Sequence, residues 1–101
     1  MTNTSNTVVL ITGTTTGIGF ELVKSLLASG YKVIATSRSL NSAPIKELEA
    51  AGAAVLQLDP SVPLEELRKF INEKAIPVYG HIDVLINNAA YLIQGAMEEE
   101  T

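Results

Sequence analysis

The chain lacks cysteine, and this excludes several kinds of site. None of its 101 residues is a cysteine, so it can form neither a disulfide framework nor a thiolate metal site, and it has no cysteine nucleophile. The absence of cysteine is typical of a reducing compartment, and we therefore expect a cytoplasmic location.

Positive charge and long apolar runs are also scarce. Seven Lys and Arg residues against eleven Asp and Glu give a net charge of -4, which argues against nonspecific binding to nucleic acid. No apolar run is long enough to span a bilayer, and residues 2–7 are polar and uncharged, so we expect neither a membrane segment nor a signal peptide. With 47% hydrophobic residues, the chain can form one small domain, to which we assign residues 1–101.

Short apolar segments alternate with amphipathic ones along the chain. The predicted strands are Val8–Ile11, Lys32–Ser37, Ala54–Leu58 and Ile82–Ile86. The predicted helices begin near Gly17, near Pro44 and near Leu64. This uninterrupted alternation predicts an α/β fold with a doubly wound parallel sheet of strand order 3-2-1-4.

Apolar spacing predicts which helical residues face the core. The candidate core residues are Ile18, Leu22, Val23, Leu26 and Leu27 in the first helix, Ile45 and Leu48 in the second, and Leu64, Leu67, Phe70 and Ile71 in the third. Gly30 and Gly52 are expected to end the first two helices. Residues 77–81 are predicted to form a loop before the fourth strand.

Three glycines follow the first strand with the spacing G-x-x-x-G-x-G, at Gly13, Gly17 and Gly19. A strand that ends in glycines and continues as a helix places main-chain amides at the helix N-terminus, where they can bind an anion. No Lys-Ser/Thr pair follows, which argues against a triphosphate-binding loop of the Walker type. The alternative is a glycine-rich turn with no ligand.

Polar residues follow the other strands. Arg38 follows the second strand, Asp59 the third, and Asn87-Asn88-Ala89-Ala90 the fourth. Ligands of such sheets bind beyond the carboxyl ends of the strands, at the switch point between strands one and four. We therefore expect all four strand ends to border one crevice.

Two of these segments resemble a known family. Thr12-Gly13-x-x-x-Gly17-Ile18-Gly19, together with Asn87-Asn88-Ala89-Ala90, is similar to the cofactor-side motifs of the short-chain dehydrogenase/reductase family. The resemblance covers essentially the whole chain but corresponds only to the family's amino-terminal half. It implies a Rossmann-like sheet that is truncated after strand four. It also implies that a nicotinamide dinucleotide is bound by Gly13, Thr14, Gly17, Ile18, Gly19, Asn88 and Ala89. Ala90 stands where the family has glycine, which adds a methyl group near the cofactor or the neighbouring strand.

The end of the second strand bears on the choice of cofactor. Sites for NAD use an acidic residue on the ribose 2′-hydroxyl, whereas sites for NADP use a basic residue near the 2′-phosphate. Ser37 and Arg38 stand there with no acid, which favours NADP (NADPH) over NAD. By resemblance, Asp59 would lie near the adenine ring and accept a hydrogen bond from its amino group. The alternatives are an ordinary solvated arginine at Arg38 and a cap or turn former at Asp59.

The resemblance implies an oxidoreductase that transfers hydride between nicotinamide and a carbonyl or alcohol. Catalysis in the family depends on a tyrosine with a lysine four residues later, assisted by a serine and an asparagine. The residues four positions after the three tyrosines do not match: Tyr31 leads to Ala35, Tyr79 to Asp83 and Tyr91 to Gly95. We therefore assign no catalytic residue. The alternative function is a truncated, non-catalytic nucleotide-binding remnant or pseudoenzyme.

The single histidine, the glutamate run near the end of the chain and the fourth strand each give one further expectation. His81, the single histidine, precedes the fourth strand at the amino-terminal edge of the sheet, so we assign it no catalytic or metal role. Glu98–Glu100 is interpreted as a solvated segment, and we expect no metal site there. The fourth strand would have an open apolar edge, which favours an oligomer or a covering chain.

Overall fold

The computed structural model describes residues 6–14, 17–59 and 61–87. The strands are β1 (Val8–Thr12), β2 (Lys32–Ser37), β3 (Ala54–Gln57) and β4 (Val84–Asn87). The helices are α1 (Gly17–Ala28), α2 (Ala43–Ala50), α3 (Leu64–Phe70) and α4 (Ile76–Tyr79), and a π-helical turn, Ile71–Ala75, joins the last two. The strands are parallel in the order β3-β2-β1-β4, which confirms the predicted topology.

The central strand β1 is buried along its whole length. Its alternate residues face opposite sides of the sheet, because side chains along a strand point in alternating directions. Val9 and Ile11 pack in a cluster with α1 and α2, whereas Val8 and Leu10 pack in a second cluster with residues of the α3 to α4 segment. Helices therefore cover both faces, as a parallel sheet requires.

The buried face of α1 differs from the prediction at one residue. Val23 is fully buried, and Leu22, Leu26 and Leu27 pack against the same cluster as expected, but Ile18 is 77% exposed. Gly19, four residues before Val23, occupies the buried line of the helix in the first turn. The glycine therefore faces the sheet, and the isoleucine beside it projects outward.

The third helical segment is longer than predicted. Residues 77–79 were expected in a loop, but they are helical, and Gly80 ends the helix with φ of 92°. Pro77 is accommodated because the π-helical turn before it interrupts the regular hydrogen bonding, so that the proline falls in the first turn of α4. Leu64 at the start of α3 was expected in the core. It is 64% exposed, so this prediction is wrong.

Strand β4 also differs from its prediction, since it runs from residue 84 to residue 87 instead of 82 to 86. Asp83 precedes it and accepts a hydrogen bond from the main-chain N–H of Val8 through Oδ2, at 2.8 Å. Among the described residues β4 is an edge strand, with Val84 41% and Leu85 55% exposed. No helix in residues 6–14, 17–59 and 61–87 is both long and apolar enough to cross a membrane.

Candidate functional site

The carboxyl ends of β1 and β4 are joined at the switch point of the sheet. Thr12 and Asn87 are partners in the parallel register. The hydroxyl of Thr12 donates a hydrogen bond to Oδ1 of Asn87 at 2.8 Å, and Thr12 is almost fully buried. This contact fixes the two strand ends on either side of the predicted crevice.

The loop between β1 and α1 uses its glycines for their backbone conformation. Gly13 has φ of 66° and Gly17 has φ of 56°, both in the left-handed region that other residues rarely adopt. A Cβ built on Gly17 would meet no atom within 4 Å. Glycine is therefore favoured at position 17 by the backbone conformation and not by close packing. The space beside the N-terminus of α1 is open.

Thr14 attaches the same loop to β2. Its side chain is fully buried, and its hydroxyl donates to the carbonyl oxygen of Thr36 at 2.9 Å. Thr36 in turn donates through Oγ1 to the carbonyl of Ile11 at 3.3 Å. Because the Thr14 side chain is occupied inside the fold, only main-chain atoms of this residue remain for a ligand.

The first turn of α1 carries no acidic residue, whereas the first turn of α3 contains Glu65 and Glu66. Carboxylates in a first turn offset the positive potential of a helix N-terminus. The N-terminus of α1 thus keeps a potential suited to an external anion such as a phosphate group.

Arg38 and Asp59 lie at the carboxyl ends of neighbouring strands and contact each other. Nε of Arg38 is 3.8 Å from Oδ1 of Asp59, with the side chains 72% and 52% exposed. Oδ1 of Asp59 also accepts hydrogen bonds from the hydroxyl of Ser61 at 2.7 Å and from its main-chain N–H at 2.9 Å. The bonds from Ser61, with a smaller contribution from Arg38, hold the pKa of Asp59 below its usual 3.8. Asp59 is therefore a turn former, as one alternative held, and also a partner of Arg38.

The glycine loop, Ser37, Arg38 and Asp59 together form one corner of the sheet. A further polar residue, which has no distinctive sequence pattern, also lies in this corner. Gln57, the last residue of β3, donates from Nε2 to the carbonyl oxygen of Arg38 at 2.9 Å. The hydroxyl of Ser37 accepts a hydrogen bond from the N–H of Ser39 at 3.3 Å. Only the predicted pairing of strands two and three could have indicated Gln57, because an exposed glutamine at a strand end has no distinctive pattern.

The family model described as short chain dehydrogenase matches residues 7–101. The chain belongs to the short-chain dehydrogenase family. It is 39% identical over 90 residues to an uncharacterised oxidoreductase of Schizosaccharomyces pombe, covering 89% of this chain and 29% of that protein. It is 34% identical over 101 residues to carbonyl reductase (NADPH) 1 of Bos taurus, covering 93% of this chain and 35% of that protein.

A solved structure of the family gives the same fold. The 3-oxoacyl-(acyl-carrier protein) reductase of Brucella melitensis in complex with NAD superposes with a TM-score of 0.63 at 29% identity, covering 81% of this chain and 32% of that one. The chain thus spans about a third of the length of these family members.

Membership of the short-chain dehydrogenase family implies a nicotinamide cofactor, and the described residues fit one. The N-terminus of α1 suits a pyrophosphate, and the exposed guanidinium of Arg38 suits a further phosphate. Asn88 and Ala89, which the resemblance assigns to the cofactor, lie outside the described residues.

His81 lies at the opposite end of the strands from the residues of this corner. Nε2 of His81 is 2.9 Å from the carbonyl oxygen of Asn6 and 3.0 Å from Oδ2 of Asp83, at the amino-terminal edge of the sheet as expected. No group of three His, Asp or Glu side chains in the described part of the chain could hold a metal ion. An open groove of about 740 Å³, which the sequence did not predict, runs between α1 and α2 and begins beside the glycine loop, since Gly17 and Ile18 line it together with Leu22 and Pro44.

Proposed function

We propose that the chain forms the adenosine and pyrophosphate side of the cofactor site in an NADP-dependent short-chain oxidoreductase. The observation that carries this proposal is the position of Arg38, exposed at the carboxyl end of β2 and one strand away from the glycine loop. The relatives leave the choice of cofactor open, since one is named with NADPH and another was solved with NAD. The preference for NADP therefore rests on Ser37 and Arg38.

Each part of the corner has a proposed role. Main-chain amides of the loop from Gly13 to Gly19 and of the first turn of α1 bind the pyrophosphate. Arg38 and Ser37 bind the 2′-phosphate, because a guanidinium and a hydroxyl both donate hydrogen bonds to phosphate oxygens. Asp59 lies on the adenine side. Asn88 and Ala89 contribute to the ribose side, as the family resemblance implies.

Bound NADPH would supply the hydride for reduction of a carbonyl group. Reduction also needs a proton donor within hydrogen-bond reach of the carbonyl oxygen. The 101 residues contain no Tyr-x-x-x-Lys to act in this role. This observation favours the second candidate function, a chain that binds the dinucleotide without catalysing reduction.

The test is a comparison of NADPH and NADH affinity, measured by quenching of nicotinamide fluorescence. We expect the chain to prefer NADPH, and we expect Arg38→Asp to weaken NADPH binding by about 10- to 100-fold, as loss of a hydrogen bond between charged groups implies. Affinity for NADH should change little. Lys46→Asp reverses an exposed charge on α2 and serves as the matched control.

An unchanged preference for NADPH in Arg38→Asp would show that the cofactor assignment is wrong. Turnover is measured separately, with a panel of aldehydes and ketones and the 101-residue chain. Reduction above the uncatalysed rate would contradict the non-catalytic candidate but not the cofactor assignment.

A further inference from the structure

Three consecutive residues at the end of β3 hold the end of β2. The main-chain N–H of Leu58 donates to the carbonyl oxygen of Ser37 at 2.8 Å. Gln57 donates from its side-chain amide to the carbonyl of Arg38 at 2.9 Å. Asp59 lies 3.8 Å from Nε of Arg38. Arg38 is therefore hydrogen-bonded at its main chain, whereas its side chain makes only an exposed ion pair, of a kind that contributes little free energy.

The contact of Gln57 is of a different kind from the strand pairing. Gln57 is the register partner of Ser37, and the main-chain bond from Leu58 to Ser37 is one residue before Arg38. At Arg38 a side-chain amide provides the hydrogen bond to the carbonyl. Gln57 is exposed, so its side chain does not serve the core. The Gln57 side chain is long enough to reach the carbonyl oxygen of Arg38, and its amide nitrogen provides the donor for that hydrogen bond.

The Arg38 side chain is 72% exposed, so its terminal nitrogens are accessible to another ligand. A guanidinium has five N–H donors, and a phosphate is best bound through a pair of parallel ones. A fixed main chain at Arg38 limits where its long side chain can extend. Such preorganisation increases affinity because less conformational freedom is lost on binding.

We infer that Gln57 is a specificity-determining positioning residue, which holds Arg38 where its terminal nitrogens bind the 2′-phosphate. The inference rests on the proposed preference for NADP. Gln57 itself need not touch the cofactor. Its effect is specific to NADPH, since NADH has no 2′-phosphate for Arg38 to bind.

The test measures the affinities of the 101-residue chain for NADPH and NADH after Gln57→Met, which keeps the length of the side chain and removes the amide. The ratio of the two affinities should fall measurably and by at most about tenfold, because the free energy of one exposed hydrogen bond is the upper limit of what positioning can contribute. Gln57→Ala should have the same effect. Asn72→Ala removes an exposed amide from the π-helical turn and is the matched control.

A double-mutant cycle separates positioning from general stability. In an Arg38→Ala background, Gln57→Met should leave the ratio of affinities unchanged, because the residue it positions is gone. Thermal unfolding of each variant establishes that the chain is folded.

Three results would overturn the inference. The first is an unchanged ratio in Gln57→Met and Gln57→Ala, and the second is a fall that is equally large with Arg38 present and in the Arg38→Ala background. Either would leave the proposed function intact. The third, no preference for NADPH in the unsubstituted chain, would overturn the proposed function as well, and is recognised before any variant is made.

Discussion

The buried hydroxyl of Thr14 provides a direct measure of how firmly the glycine loop is attached to the sheet. Thr14 is fully buried, and its Oγ1 lies 2.9 Å from the carbonyl oxygen of Thr36. Valine has nearly the same shape and the same branching at Cβ. Thr14→Val therefore removes the donor with little change of volume.

The expected cost follows from two opposing contributions. A buried polar group that loses its partner costs about 1–3 kcal/mol. The methyl group that replaces the hydroxyl recovers up to about 0.8 kcal/mol through burial. The free energy of unfolding should thus fall by about 1–2 kcal/mol in Thr14→Val, which lowers Tm by about 5–15 °C in a chain of this size.

Thermal unfolding followed by circular dichroism measures this change. The matched control is Thr36→Val, the same substitution at another buried threonine, whose hydroxyl donates to the carbonyl of Ile11 over a longer distance of 3.3 Å. We expect the smaller loss from Thr36→Val. A Tm for Thr14→Val within about 2 °C of the unsubstituted chain, or a larger loss from Thr36→Val, would refute the assignment of loop stability to the Thr14 hydroxyl.

Two further predictions concern the same corner. Gly17→Ala should lower the free energy of unfolding by about 1–2 kcal/mol through backbone strain alone, since φ is 56° and the new methyl group meets no neighbour; chemical denaturation measures it, and a loss in Gly17→Asn as large as that in Gly17→Ala would contradict it. NMR titration should give Asp59 a pKa below 3.8, and Ser61→Ala should raise it towards 3.8 because the bond from the Ser61 hydroxyl is lost while the bond from the main-chain N–H is kept. Because the folded-state pKa is lowered, the ionised Asp59 contributes stability above the unfolded-state value, and this is lost as the pH falls through the folded-state value. An unchanged pKa of Asp59 in Ser61→Ala would show that the bond from the hydroxyl is not what lowers it.

The parts of the fold that local rules determine were predictable. Strand β2 has the predicted bounds, and Gly30 and Gly52, with φ of 96° and 116°, follow α1 and α2 as expected. Ile45 and Leu48 are fully buried, because the 3.6-residue period of a short helix against a sheet leaves one inward face.

The parts that depend on distant neighbours were not predictable. Ile18 fits the apolar period of α1, but Gly19 takes the position against the sheet and nothing in the described residues covers the isoleucine. Pro77 indicated a loop because the sequence does not reveal the π-helical turn that accommodates it.

In the candidate site, too, some contacts were predictable from the sequence and others were not. Topology alone placed Arg38 and Asp59 at adjacent strand ends, and the structure brings them within 3.8 Å. The hydrogen bond from Gln57 to Arg38 depends on the reach and rotamer of one exposed side chain, for which the sequence carries no signal.

The positions of Arg38, Asp59 and the glycine loop in the sheet allow affinity for the dinucleotide to be tested separately from turnover. Arg38, Asp59 and the glycine loop all lie on the β1 to β3 side of the switch point. On the other side the described residues provide β4 alone, whose Leu85 is 55% exposed while β1 is buried throughout. A dinucleotide lies across such a switch point, so its two halves meet different parts of the sheet. The proposed preference for a 2′-phosphate involves residues on the β1 to β3 side alone, so the proposed roles of Arg38 and Gln57 are best tested by affinity instead of by the rate of a reaction.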